Sequence, residues 1–247
     1  MVPFEDTRIL EEYAMRQTAN PAPCLQRHGR PIYESRNSFG HLRGDVSYVK
    51  LTDFGLAVHG NMKHNHDIQP REYTAPEVML RAGWTYSADI WNLGLVVCTL
   101  LSWEYRGLTQ SQLWELLGDV NLLSGRIPGH CSFSNKTRFA QMIRLLGPPP
   151  SELLARADRG TLSKYYNEQG KFRYPELIPN EMFTLENSTP MLEGQERALF
   201  INFARRMLTW LPEQRATAKE LLNDPWLTSV SRHRPCGFGY LEDTRLE

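Results

Sequence analysis

The sequence predicts a mainly α-helical fold with a small β-hairpin, and three features predict the helical part. The segment SADIWNLGLVVCTLLSW (87–103) has apolar side chains on nearly every side, which is typical of a helix buried all round. An apolar stripe at the i, i+3, i+4, i+7 spacing of an amphipathic helix is formed by Phe139, Met142, Ile143 and Leu146. Thr217 and Glu220 form the Thr-x-x-Glu capping box that marks a helix start. Beyond residue 80 the chain is therefore predicted to be mostly helix.

The first fifty residues carry weaker sequence signals for secondary structure. MVPF (1–4) and SYVKL (47–51) have the composition of short strands. After the first of them, helical spacing of apolar residues predicts a short amphipathic helix containing Ile9, Leu10, Tyr13 and Ala14. Residues 17–46 carry Asn, Pro, Gly and Arg without a sustained period, which predicts a long loop interrupted by PIY (31–33).

The later helices are bounded by clear stop and start signals. The stripe around Phe139 ends at GPPP (147–150), and a second helix is expected from Ser151. A loop-rich region follows at 160–193, and a strong apolar stripe predicts a helix at 194–210. The capped helix is expected to stop at DPW (224–226), and the tail beyond Thr228 to be loosely held.

Composition narrows the classes of function. The 247 residues are 41% hydrophobic, which is ordinary for a globular protein that buries a core. Lys and Arg together number 28, as do Asp and Glu, so no net charge favours nucleic acid or an anionic membrane. The four cysteines lack any CxxC spacing, and the start has no signal-peptide pattern. We therefore expect a soluble intracellular protein, cytoplasmic or nuclear or both, with no direct nucleic-acid or membrane partner.

Four motifs follow one another in an order that is far more specific than any one of them: TDFG (52–55), YTAPEV (73–78), SADIWNLG (87–94) and PEQRAT (212–217). This succession resembles the C-terminal lobe of eukaryotic serine/threonine protein kinases. The segments IQPREYTAPEV and GWTYSADIWNLG, with GRPIYESRNSFG upstream, resemble fungal SR-protein-kinase-like members. The resemblance implies a truncated kinase domain at 1–227 with an insertion at 5–46 between the hairpin strands, and a tail at 228–247.

The resemblance implies a nucleotide role for the DFG turn. Asp53, with Phe54 and Gly55, would hold the magnesium that bridges ATP phosphates, since a hard cation prefers carboxylate oxygen. The structural alternative for Asp53 is an ordinary aspartate in a tight turn beside a glycine. ATP and Mg²⁺ are therefore the expected cofactors of the complete enzyme, and tight binding of either by this chain alone is not expected.

Three further residues are implied to be structural fixed points. Glu77 and Arg215 resemble the buried ion pair that ties the activation segment to the helical core of a kinase. Their alternative is two solvated surface charges. Asp89 resembles the acid at the head of the central helix that fixes the backbone of the catalytic loop; its alternative is a plain helix cap.

The segment from Asp53 to Glu77 would be the activation segment. Within it, Arg71, Tyr73 and Thr74 lie where a kinase positions its protein substrate, although as loop residues they could equally be inert. No Ser or Thr lies between Leu56 and Tyr73, so switching by phosphorylation in that stretch is not expected. Three histidines, His59, His64 and His66, lack a carboxylate or cysteine at ligand spacing, which favours solvated side chains over a metal site.

Several parts that phosphoryl transfer needs are missing from the sequence. It contains no GxGxxG loop, no VAIK-like lysine ahead of the DFG turn and no His-Arg-Asp, so no catalytic residue is assigned. A Pro stands at position 70, where many such kinases have a threonine that supports the catalytic aspartate. Met1 falls where the family's catalytic loop would end, as expected of a truncated chain.

Two functions follow from this pattern. The first is the C-terminal lobe of a serine/threonine kinase whose complete form transfers phosphoryl groups from ATP to Ser or Thr of a protein, Arg/Ser-rich proteins being one option. The second is a non-catalytic kinase-like module that binds protein partners.

Overall fold

The computed structural model describes residues 6–34, 50–104, 122–127, 129–130, 132–190 and 192–233. The chain divides into two compact units, Met1–His59 and Gly60–Glu247.

The first unit contains a helix and a two-stranded antiparallel sheet. Helix α1 spans Arg8–Ala19, where the apolar spacing predicts a short helix. Strand β1, Cys24–Arg27, pairs with β2, Arg30–Tyr33. The two turn residues between them, His28 and Gly29, have φ of 52° and 74°, as a type I′ hairpin turn requires.

The position of this hairpin corrects the sequence prediction. The sheet lies inside the stretch that was predicted to be loop, 17–46, which also contains the end of α1. The predicted strand at 1–4 lies outside the described residues. Of the strand predicted at 47–51, Lys50 and Leu51 are described and are not in a strand. The hairpin escaped prediction because its four-residue strands contain a proline and several charged residues, without apolar alternation.

The second unit is helical. The helix bounds are α2 Pro76–Met79, α3 Ser87–Glu104, α4 Asn135–Leu146, α5 Ser151–Arg156, α6 Arg159–Leu162, α7 Leu185–Ser188, α8 Gly194–Met207, α9 Ala218–Leu222 and α10 Pro225–His233. Single 3-10 turns occur at Pro175–Leu177 and Pro212–Gln214. Helices α3, α4, α5 and α8 lie where periodicity and the GPPP stop predicted them.

The core of this unit forms where α3 packs against α8. Gly94 allows the close approach, because a Cβ there would lie 2.9 Å from Met207 Cβ. Trp91 and Leu95 are buried on this side of α3. The prediction that α3 is buried all round is wrong for Leu93, which is 42% exposed.

Helix α10 packs against the other end of the core. The ring of Trp226 lies 5.0 Å from the rings of both Phe200 and Phe203 of α8. The capped helix α9 ends at Leu222, before the stop predicted at residues 224–226, whereas the tail predicted to be loosely held beyond Thr228 begins within α10, which spans Pro225–His233. Proline suits the first helical position, so it begins α10 after ending α9.

The capping box that begins α9 is confirmed. The Thr217 backbone N–H donates to Glu220 Oε2 at 2.8 Å, and the Glu220 N–H donates to Thr217 Oγ1 at 3.3 Å. The bond from the Thr217 backbone N–H, together with one from the Thr217 hydroxyl to Glu220 Oε2 at 2.9 Å, lowers the pKa of Glu220. Thus α9 begins at the residue that the sequence indicated.

No helix within the described parts of the chain combines the length and the apolar character needed to cross a membrane.

Candidate functional site

Glu77 and Arg215 lie in contact in the second unit, although they are 138 residues apart in the chain. Glu77 lies in the first turn of α2, and Arg215 follows the 3-10 turn Pro212–Gln214. The guanidinium donates from Nη1 to Oε1 at 2.7 Å and from Nη2 to Oε2 at 2.6 Å. Both side chains have 0% exposure. This is a bidentate, fully buried ion pair, the strong geometry for Arg and carboxylate.

Arg215 also connects two further segments. Its Nη1 donates to the Ser87 carbonyl at the start of α3 at 2.8 Å, and its Nε donates to the Thr209 carbonyl at 3.2 Å. The Trp91 ring lies below, 5.2 Å from the Arg215 Cζ. One guanidinium therefore joins α2, the head of α3 and the segment after α8.

Gln69 belongs to the same region and was missed by sequence reasoning. Its amide Nε2 donates to the Ala88 carbonyl at 2.7 Å, and its Oε1 accepts from the Ala75 N–H at 2.9 Å. It has φ of 71°, an uncommon left-handed value for a residue other than glycine. The residues around Gln69 give no sequence signal for this bridge, since both its partners are backbone groups.

Asp89 lies in the first turn of α3, where its backbone N–H donates to the Tyr86 carbonyl at 3.0 Å. The hydrogen bonds and ion pairs among the described residues leave its carboxylate without a partner. Its surface is open to solvent, yet neighbouring groups remove enough water to raise the pKa of Asp89 by desolvation. The carboxylate is therefore available to accept hydrogen bonds from another segment.

Asp53 lies in the first unit. Its φ of 66° and ψ of 54° place it in the left-handed region, which Asp tolerates better than most residues. The carboxylate makes no hydrogen bond to the 3-10 turn Phe54–Leu56 that follows, and it is exposed. Phe54 is also exposed, at 68%. An open carboxylate fits magnesium, which is often held by one or two carboxylates together with phosphates and water.

The substrate-positioning candidates lie near Pro70. The Thr74 hydroxyl donates to the Pro70 carbonyl at 3.0 Å, and the Tyr73 N–H donates to the same oxygen at 2.8 Å. Tyr73 is half-buried against the core, whereas Arg71 is exposed. The backbone here is held in a tight turn, and Arg71 is the member of the three whose side chain is open to solvent.

A charged cluster beside these residues was also missed. Arg126 Nη2 pairs with Glu72 at 2.9 Å, and Arg138 is fully buried in the first turns of α4. Arg138 Nε donates to the Leu123 carbonyl at 3.3 Å. Burial lowers the pKa of Arg138 to about 9, with the Glu72 charge opposing that shift. The sequence placed an amphipathic helix here without indicating that an arginine would lie on its buried side.

The histidines of the activation segment pack on an aromatic ring. The rings of His64 and His66 lie 4.8 Å and 4.9 Å from Trp84, whose Nε1 donates to the His66 carbonyl at 2.9 Å. Within the described residues, no group of three or more His, Cys, Asp or Glu side chains is placed to hold a metal ion.

Comparison with known proteins matches this arrangement to one family. The protein kinase domain model matches residues 37–227. A serine/threonine protein kinase of Aspergillus fumigatus is 35% identical over 224 residues, which cover 90% of this chain and 51% of that protein. The dual specificity protein kinase CLK2 of Homo sapiens is 27% identical over 192 residues, covering 76% of this chain and 33% of the relative. The chain thus spans about half the length of the Aspergillus relative and about a third of the length of CLK2.

A solved structure of a kinase domain has a similar fold. The crystal structure of a kinase domain aligns with a TM-score of 0.51 and 26% identity, covering 83% of this chain and 53% of that one. The fold is a kinase fold with helices and a small two-stranded antiparallel sheet. The chain belongs to the protein kinase family, and its relatives are serine/threonine kinases of the CLK, SRPK and AFC type, among them AFC1 of Arabidopsis thaliana, 29% identical over 74% of this chain and 36% of that protein.

Proposed function

We propose that this chain is the C-terminal lobe of a serine/threonine protein kinase whose complete form transfers the γ-phosphoryl group of ATP to a protein hydroxyl. The observation that carries the proposal is the buried, bidentate pair of Glu77 and Arg215. It fixes the end of the activation segment to the helical core, where a kinase needs a rigid support for its substrate. The kinase domain would occupy residues 1–227, with 5–46 as an insertion and 228–247 as a tail.

Asp53 is proposed to be the magnesium ligand, with Phe54 and Gly55 shaping its turn. Its carboxylate is exposed and makes no bond to the turn, so it can bind a hard cation without first breaking a protein contact. Magnesium bound to ATP supplies charge neutralisation on the phosphates during transfer. The protein's own contribution at this point is to hold the Asp53 carboxylate in a fixed left-handed turn.

Asp89, Arg71, Tyr73 and Thr74 are proposed to position the catalytic loop and the substrate. Asp89 has an unpartnered carboxylate at the head of α3, which suits it to accept backbone N–H groups of a catalytic loop. The Pro70 carbonyl holds Tyr73 and Thr74 in place, which leaves Arg71 free to meet a substrate. Of the four, Tyr73 packs against the core of the second unit, whereas the Asp89 and Arg71 side chains are exposed.

The same sequence argues that this chain is inactive by itself. It has no glycine-rich loop, no lysine equivalent to that of VAIK and no His-Arg-Asp. A single carboxylate without those groups leaves the ATP phosphates in water. We therefore assign no catalytic residue to the chain, and propose that the nucleotide-binding half comes from elsewhere in the complete enzyme.

The proposed substrate is a protein phosphorylated on Ser or Thr, and an Arg/Ser-rich sequence is one option within that class. A cytoplasmic or nuclear location is part of the same proposal. Support for a Ser or Thr substrate comes from the family and from the names of its relatives, which are serine/threonine or dual specificity kinases.

The test is phosphoryl transfer by a chimaera that joins the N-terminal half of the Aspergillus relative to this chain. We expect the chimaera to phosphorylate serine-containing peptides with radiolabelled ATP in the presence of magnesium, and Asp53→Asn to reduce the rate by at least about a hundredfold, since it removes the metal-binding charge. A panel of peptides with and without Arg/Ser repeats would define the substrate class.

Asp67→Asn is the matched control, because Asp67 is an exposed aspartate whose pairing with Arg81 is long, at 3.6 Å. That substitution should leave the rate unchanged. A chimaera that folds, as judged by circular dichroism, but transfers no phosphate would favour the non-catalytic binding module instead.

A further inference from the structure

A cavity of about 490 Å³ lies in the second unit, apart from the residues discussed so far. Its walls come from the start of α4 and from the segment after α6, and its lining residues are Ser134, Asn135, Lys136, Lys164, Tyr165 and Tyr174. The volume is in the range of cavities that hold a small ligand or a peptide side chain. None of the lining residues is acidic, and two are lysines.

Neither lysine has a carboxylate within ion-pair distance among the described residues. The Lys136 ammonium lies 4.2 Å from the centre of the Tyr174 ring, a cation–π contact that holds it at the cavity. Asp158 lies outside the cavity lining and acts on Lys164 electrostatically, while its carboxylate accepts two hydrogen bonds from Thr161, each at 2.8 Å. The lining itself thus contains two lysine ammonium groups and no acidic side chain.

The aromatic walls are held in fixed positions. The Tyr174 hydroxyl donates to the Lys164 carbonyl at 3.2 Å, and Asn135 Nδ2 donates to the Tyr165 hydroxyl at 3.4 Å. The Tyr165 ring packs on the buried Phe139 ring at 4.8 Å between centres. Because the rings are supported by the core, the cavity is preformed and does not need to be assembled by its ligand.

We propose that this cavity binds a phosphoserine or phosphothreonine side chain of a protein segment. A phosphate monoester carries a charge of about −1.5 to −2 at neutral pH, which balances the two lysine ammonium groups. A single carboxylate carries less negative charge and would not balance both. The Ser134 hydroxyl offers another donor at the cavity wall. The tyrosine rings provide apolar surface for the peptide backbone on either side. Such binding is independent of phosphoryl transfer by this protein.

The test is fluorescence anisotropy of a labelled nine-residue peptide with a central phosphoserine, titrated with the full chain. We expect it to bind at least about tenfold more tightly than the same peptide with unmodified serine, because the two lysine charges are matched only by the phosphate. Paired substitution of Lys136→Gln and Lys164→Gln should abolish that difference. Lys219→Gln is the control, since Lys219 is exposed on α9 and lies outside the cavity lining.

Two further probes separate the sources of phosphate. Inorganic phosphate should compete only weakly, and a single-stranded oligonucleotide of similar length should not lose affinity in the double variant. Equal binding of both peptides, or a phosphopeptide affinity that survives the double substitution, would overturn the proposal. An oligonucleotide that binds through the same lysines more tightly than the phosphopeptide would also overturn it, in favour of a nucleic-acid site.

Discussion

Replacing Arg215 by alanine is expected to lower the free energy of unfolding by about 3–5 kcal/mol, because it leaves the Glu77 carboxylate buried without its counter-ion. Both side chains have 0% exposure, so the Glu77 carboxylate would be left unpaired away from bulk solvent. The carbonyls of Ser87 and Thr209 would lose a donor at the same time. Urea unfolding followed by circular dichroism measures the difference, and Glu77→Ala should give a loss of similar size.

Two controls show whether burial causes this cost. Arg205→Ala breaks an exposed pair with Glu186, at 3.1 Å, and should cost no more than about 1 kcal/mol. Replacing both buried partners, as Glu77→Leu with Arg215→Met, should cost clearly less than either alanine substitution, because no unpaired charge remains. Equal losses for the buried and the exposed arginine would show that the Glu77–Arg215 pair is not an anchor.

Replacing Trp91 by alanine is also expected to lower the free energy of unfolding by about 3–5 kcal/mol. The side chain is fully buried on the face of α3 that packs into the core, and it lies against the Arg215 guanidinium. Its removal leaves a cavity beside a buried charge. Trp91→Phe should cost much less, because the indole Nε1 has no hydrogen-bond partner to lose.

The comparison uses chemical unfolding of Trp91→Ala, Trp91→Phe and a surface variant. Leu222→Ala is the surface control, since Leu222 is 72% exposed on α9, and it should change stability by less than about 0.5 kcal/mol. If Trp91→Ala behaved like Leu222→Ala, the packing of α3 against the rest of the second unit would be contradicted.

The sequence predicted the long helices because their signals are local. The apolar pattern of α3, the stripe of α4 and the capping box at Thr217 each lie within a few turns of chain, so no distant contact is needed to recognise them. The hairpin at Cys24–Tyr33 lacks such a signal, because both strands are exposed along their whole length and have no buried face to impose alternation.

The residues of the candidate site also differ in whether the sequence could predict their roles. Glu77 and Arg215 could be paired only through the resemblance to kinases, because 138 residues separate them. Gln69 was missed since it bonds to backbone groups, which any sequence provides. Arg138 was missed because charged residues are rarely buried, and its burial depends on contacts with the segment around Leu123. Roles that depend on tertiary partners therefore require the folded structure.

The most direct test of the proposed half-enzyme is a calorimetric titration of the folded chain with ATP and magnesium. The chain has an open Asp53 carboxylate but no glycine-rich loop and no nucleotide-binding lysine, so we expect no saturable binding up to millimolar nucleotide. Saturable one-to-one binding that Asp53→Asn abolishes would contradict the proposal, since it would show that these residues alone form a complete nucleotide site.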